Sequence, residues 1–199
     1  MVWAALAALT ANRSPLIPIG RTASAITALH EKYVAAWHDA YGSLPSIEFD
    51  AEWPSLCIVS EPSDGRCHWQ PVPATPPIDL AGLGHALEVD LNPSWIELFA
   101  TAWSATLKLS YSGAPFELLQ LWNQQDAENL VGNQIGHALE KRRIHQPLSL
   151  FFGLIDDDRL LTVDNDSGRV ELEVLGAFRP EEVCPDIVSF LERCEPDVS

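Results

Sequence analysis

Two copies of one pentapeptide are the first candidates for chemistry. Gly84-His85-Ala86-Leu87-Glu88 recurs as Gly136-His137-Ala138-Leu139-Glu140. A His and a Glu three apart on a helix share a face, and each pair could supply half of a di-metal carboxylate site. Such sites draw further carboxylates from other helices of a bundle. Much of this chain reads as sheet, so His137 is expected to make a structural hydrogen bond beside that sheet instead. Asp156-Asp157-Asp158 places three carboxylates in a row. A Ca²⁺ loop needs alternating oxygen ligands and a glycine, which this run lacks. It reads as a solvated turn or, functionally, as an acidic rim for a cationic partner. Lys141-Arg142-Arg143 is the basic cluster; at a helix end it complements the negative pole of the macrodipole. There is no G-x-S-x-G, P-loop or G-x-G-x-x-G motif. These motifs assign no catalytic residue, no metal and no cofactor, and the chain reads as a non-enzyme.

The four cysteines, Cys57, Cys67, Cys184 and Cys194, form no C-x-x-C pair. A zinc site is therefore not indicated. Buried free thiols are the expectation, in keeping with a reducing cytosol.

A chain of 199 residues, 47% apolar and 20% charged, can form one globular domain. At this size folding buries roughly 70% of the unfolded surface. The formal net charge is −16, from 28 acids against 12 bases. That argues against nucleic acid, which recruits Lys and Arg to phosphates, and against direct docking on anionic lipid. It suits a basic protein partner. Residues 156–199 hold 13 acids and 4 bases, net −9, so over half of the excess charge lies in the last quarter.

The elements that must position these residues are legible as periodicities. Residues 116–122 read as a strand and 123–143 as an amphipathic helix. In that helix Ala127, Leu130, Val131, Ile135, Ala138 and Leu139 form an apolar stripe. The run at 148–155 is short, aromatic and almost wholly apolar, so it reads as a strand covered on both faces. Asp164-Asn165-Asp166-Ser167-Gly168 turns a hairpin whose second strand alternates Val170, Leu172 and Val174 with Glu171 and Glu173. One face of that strand is expected to be buried and the other wet. Gly132 and Gly136 inside the helix each cost roughly 1 kcal/mol against Ala, which predicts close approach of another backbone.

Upstream, residues 22–41 predict a helix stopped by Gly42, with Ile26, Leu29, Tyr33, Trp37 and Tyr41 on one face. Strands at 56–60 and 66–70 flank a Pro-Ser-Asp-Gly turn. A helix is predicted near 79–88, another over 95–103, and a second hairpin joins 105–111 to 115–122. Pro185 is placed in the first turn of a last helix burying Ile187, Phe190 and Leu191. Hairpins mixed with helices give an α+β class, with a mainly antiparallel central sheet and helices packed around it. Residues 1–20 read as a loosely held extension and 21–199 as a single domain. The apolar run at 2–9 lacks a basic n-region and falls far short of a membrane span.

Several of these segments resemble the Syd family, within the Smi1/Knr4-like (SUKH) superfamily. The carriers are Leu119-Gln120-x-Trp122, Asn133-x-Ile135-Gly136-His137, Pro147-Leu148-x-Leu150-Phe151 and Asn165-x-Ser167-Gly168. Ala36-Trp37-His38, Pro54-Ser55-x-Cys57-Ile58 and Trp69-Gln70-Pro71-x-Pro73 extend the match over residues 24–192. The resemblance implies an α+β fold with helices around a central sheet. It also implies association with SecY, the bacterial translocase channel, from the cytoplasmic side of the inner membrane. Membrane association would then be indirect, through SecY, and the protein itself is expected to be a monomer. A SUKH-type immunity protein that neutralises a toxin is the alternative. Candidate partner-binding residues are Glu88, Asp90, Asp126, Asp156, Asp157, Asp158 and Asp164 around a concave surface near the sheet, with Trp69 as an apolar anchor.

Overall fold

A computed structural model describes residues 20–174 and 179–198. The expectation for residues 1–20 falls, apart from Gly20, outside the described residues. The chain opens with α1 (Arg21–Tyr41). Its N-terminus has no acid of its own, and Glu97 supplies one: Oε2 accepts the amides of Thr22 and Ala23 at 3.1 and 3.2 Å. A carboxylate there answers both the unpaired N–H groups and the positive helix pole. Gly42, at φ 68°, closes the helix in the left-handed region where only glycine is unstrained. The expected face is buried at Ile26, Leu29 and Tyr33 and emerges at Tyr41, which is exposed.

Two small antiparallel pairs follow. β1 (Ser46–Glu48) joins β2 (Arg66–His68), and β3 (Val72–Pro73) joins β4 (Ala102–Trp103). The hairpin predicted between 56–60 and 66–70 forms only in part. Residues 56–60 make one bridge, Ile58 to Trp69, flanked by Val59 N to the His68 carbonyl and Gln70 N to the Cys57 carbonyl at 3.0 Å each, while β2 finds its ladder partner in β1. The reason lies at Ser55, whose Oγ donates to the Trp122 carbonyl and accepts the Cys57 amide, turning the chain where a strand would start. Between the pairs lie α2 (Ala81–Leu87) and α3 (Pro93–Ala100). The α3 N-terminus is capped by the Asn92 side chain.

The remaining strands are β5 (Leu107–Tyr111), β6 (Ala114–Leu118), β7 (Ser149–Asp156), β8 (Arg159–Asp164), β9 (Val170–Val174), β10 (Glu181–Cys184) and β11 (Cys194–Pro196). They form one antiparallel sheet in the order β10-β9-β8-β7-β6-β5-β11. The α+β class with a mainly antiparallel central sheet is thus observed. β6 ends at Leu118, four residues before the predicted strand end, because Trp122 turns toward α4 (Gln124–Arg143). β10 and β11 carry no alternating pattern long enough to be read from the sequence.

These two strands form opposite edges of the sheet, yet they are joined only by α5 (Ile187–Leu191). So short a link makes the sheet curl. Asp186 caps α5 by accepting the Ser189 amide at 2.8 Å, so Pro185 stands before the cap and not in the first turn as expected. Phe190, fully buried, fills the curl: its ring lies 4.6 Å from Tyr111, 5.5 Å from Phe116 and 5.6 Å from Phe152. All four cysteines are free and buried.

Candidate partner-binding surface

The helix that carries the second pentapeptide is turned from its predicted register. α4 buries Ala127, Leu130, Gln134, Ala138 and Lys141, while Leu139 is exposed. Gly132 and Gly136 face open space, with nothing within 4 Å of a Cβ built on either. The predicted backbone approach is therefore absent. The polar strip on the sheet explains the rotation. Lys141 Nζ donates to Glu173 Oε1 at 2.8 Å, and Thr162 Oγ1 donates to the same oxygen at 3.1 Å. Gln134 Nε2 donates to the Phe151 carbonyl at 2.6 Å. A helix with a purely apolar stripe would leave the Glu173 carboxylate in a dry site without its cation, at a cost of about 3–5 kcal/mol.

Two readings change as a result. The face of β9 carrying Glu173 is not wet; α4 covers it. Lys141 does more than complement the helix pole, since it is the ion partner of a buried carboxylate. His137 makes the structural hydrogen bond expected of it, Nε2 to Ser149 Oγ at 3.0 Å, with Glu173 at 3.7 Å. Burial pulls its imidazole below the ordinary histidine value, against the nearby Glu173 charge and with that of Lys141. Glu171 is pushed up by burial and then by Asp164 and Glu173. Among the described residues no group of three or more His, Cys, Asp or Glu side chains is placed to hold a metal ion.

The predicted acids do not converge on one concavity. Glu88 and Asp90 are exposed at the end of α2, tied to the β8–β9 turn by Asn165, whose Nδ2 donates to the Asp90 carbonyl at 3.0 Å. Asp164 belongs to that turn, where its Oδ1 accepts the amide and hydroxyl of Ser167. Asp156, Asp157 and Asp158 are exposed at the other end of β8, about 17 Å away along the strand. Asp156 is paired with Arg159, whose guanidinium holds its carboxyl below the usual range. Asp126 sits half-buried in the first turn of α4, about 24 Å along the helix from Arg142, which bonds the Leu87 carbonyl beside Glu88. Trp69 is only 3% exposed, packed 6.2 Å from Tyr33 and edge-on to Trp122 at 6.1 Å. Its burial removes it as a surface anchor.

Asp126 does have acidic neighbours that the sequence reading passed over. Residues 46–58 fold against the β6–α4 junction through three bonds. Trp122 Nε1 donates to the Trp53 carbonyl at 3.1 Å, Asn123 Nδ2 to the Pro54 carbonyl at 3.0 Å, and Ser55 Oγ to the Trp122 carbonyl at 2.5 Å. The junction encloses a pocket of about 240 Å³ lined by Glu48, Phe49, Asp50, Trp53, Trp122 and Asp126, among others. Burial pushes the Asp126 carboxyl up, offset by hydrogen bonding from the Trp122 amide and the Trp53 indole. The signal for this site was present as acids interleaved with aromatics in Glu48-Phe49-Asp50-Ala51-Glu52-Trp53.

Fold and surface together define an acidic α+β domain built on one curled antiparallel sheet. No helix among its described residues is long and apolar enough to cross a membrane. The family described as Syd protein (SUKH-2) matches residues 23–196, and the chain belongs to that family. It is similar to Protein Syd of Pseudoalteromonas atlantica, 36% identical over 166 residues that cover 81% of this chain and 89% of that protein. Protein Syd of Alteromonas mediterranea is also 36% identical, over 174 residues covering 86% and 96% of the two chains. Protein Syd of Aliivibrio salmonicida is 32% identical over 176 residues, 88% and 96% of the two.

Proposed function

We propose that this protein is a non-enzymatic binding partner of SecY, acting from the cytoplasmic side of the inner membrane. There it would monitor or restrain uncomplexed or abnormal translocase. Membership of the Syd family across residues 23–196 carries the reading. Charge supports it. Cytoplasmic loops of inner-membrane proteins are rich in Lys and Arg, and this chain has a net charge of −16. Asp157 and Asp158 are exposed and, among the described residues, form no ion pair. Attachment to the membrane is then through the partner, since an acidic surface is repelled by anionic lipid.

Exposed pairs are screened over about 8 Å at physiological ionic strength and are worth about 0–1 kcal/mol each. Their main effect is therefore on encounter. The test is surface-immobilised SecY with wild-type protein and the triple variant Asp156→Asn, Asp157→Asn, Asp158→Asn at two salt concentrations. Association should slow with salt and with the substitutions, while dissociation changes less. Absence of binding by the wild-type protein at low salt would refute the reading.

A further inference from the structure

The pocket at the β6–α4 junction has a composition that the fold alone does not require. Phe49 and Trp53 are only half-buried, and three carboxylates surround them: Glu48 and Asp50, exposed at the rim, and Asp126, half-buried. Among the described residues none of the three forms an ion pair. Arg66 lies opposite Glu48 in the β1–β2 pairing, but its guanidinium donates to the Ser46 hydroxyl and carbonyl at 2.9–3.2 Å. The pocket therefore combines aromatic walls with two exposed carboxylates that have no cationic partner among the described residues, Glu48 and Asp50, and a third, Asp126, that is held by hydrogen bonds and not by a cation. At about 240 Å³ it is smaller than a cavity for a drug-sized ligand, about 300–1,000 Å³, and of a size for a single side chain.

We propose that this pocket receives one arginine side chain from a basic loop of the protein partner. An arginine guanidinium is planar, stacks on aromatic faces and pairs with carboxylates through a fork of donors. It is also more weakly hydrated than a lysine ammonium, so a partly dry pocket costs it less. Asp126 is held in place at its floor, with Oδ2 accepting the Trp122 amide at 3.0 Å. The Trp53 wall is fixed from behind through its carbonyl, which Trp122 Nε1 bonds at 3.1 Å. Such a site is pre-organised, so little ordering is needed on binding. The inference rests on the reading that the partner presents basic loops, and it adds the residue type and the seat.

The experiment titrates the ¹⁵N-labelled full chain with Nα-acetyl-arginine amide and, separately, with the neutral isostere Nα-acetyl-citrulline amide. Saturable shifts are expected at the Trp53 and Trp122 indoles and at the Asp126 amide, with citrulline weaker by roughly tenfold. Trp53→Leu should weaken arginine binding by roughly threefold or more. So should Glu48→Gln with Asp50→Asn, a pair of exposed positions whose exchange leaves the core intact. Non-saturating shifts, equal citrulline binding or unaffected variants would overturn the proposal. The same variants are then run on SecY. Arginine binding without any SecY binding by the wild-type protein supports the pocket and refutes the reading of the partner above. SecY binding unchanged in both variants overturns the pocket as the partner's seat and leaves that reading standing.

Discussion

Lys141 and Glu173, 32 residues apart, meet beneath α4 at 2.8 Å with side chains 6% and 10% exposed. The pair holds the helix to β9 and sets which face of α4 looks inward. Removing one member leaves the other charge dry and alone, at a cost of about 3–5 kcal/mol. Lys141→Met and Glu173→Gln are each expected to lower the unfolding free energy, measured by urea titration, by that order. The combined Lys141→Met, Glu173→Leu variant should recover most of the loss, because a well-packed apolar pair can match a buried ion pair. A double variant no better than the singles would show that Thr162 and His137 depend on the carboxylate.

His30 provides a pH prediction. Its Nε2 bonds Gln120 Oε1 at 3.0 Å inside the core. Gln120 Nε2 donates to the Leu119 carbonyl, so Oε1 is the acceptor and the imidazole carries its proton on Nε2. Burial pulls this group down to about 4, against the Gln120 bond, which pulls it up. The unfolded chain, near 6.5, then binds a proton that the folded chain refuses. The contribution is intact above pH 6.5 and is lost as pH falls toward 4, reaching roughly 3 kcal/mol at about 1.4 kcal/mol per unit. His137, also lowered, acts in the same direction. Thermal unfolding across pH 7 to 4 should show a smaller drop in His30→Gln than in wild type, and parallel curves would place the titration elsewhere.

The helix glycines and the strand glycine should respond oppositely. Gly132→Ala and Gly136→Ala meet open space and are expected to stabilise by about 0.5–1 kcal/mol each. Gly153, opposite Leu118, is different. A Cβ there comes 3.1 Å from the Glu117 carbonyl oxygen and 3.2 Å from Leu161 Cδ1. Gly153→Ala should cost roughly 1–3 kcal/mol as overpacking. Denaturant midpoints compare the three; a destabilising Gly136→Ala would contradict its exposed placement.

Phe190 should be the most sensitive position of α5. It is fully buried against Tyr111, Phe116 and Phe152. Phe190→Ala is expected to cost about 3–5 kcal/mol, and Phe190→Leu distinctly less. If the curl of the sheet depends on this plug, hydrogen exchange in β10 and β11 rises before that in β7. Uniform exchange would show that the edges hold independently.

Local signals were enough for the elements whose periodicity repeats within a few turns or a hairpin. α1 with its Gly42 stop, α4 with its three-and-four spacing, and the β5–β6 and β7–β8–β9 hairpins all follow from spacing and turn residues that act within a few positions. The α+β class followed from them. What the tertiary structure decided are relations between distant residues. β1 became the ladder partner of β2 and residues 56–60 kept a single bridge to Trp69, with Ser55 drawn to Trp122, 67 positions later. Glu173 is dry because Lys141 covers it, which no alternation along β9 can reveal. Trp69 went to the core beside Tyr33, since an aromatic at a strand end suits an interface or an interior equally and only the packing of α1 settles it. The acids were visible as charge, but charge in a sequence has no direction. Only the fold sends Asp156–Asp158 and Asp164 to opposite ends of β8 and brings Asp126 beside Glu48 and Asp50.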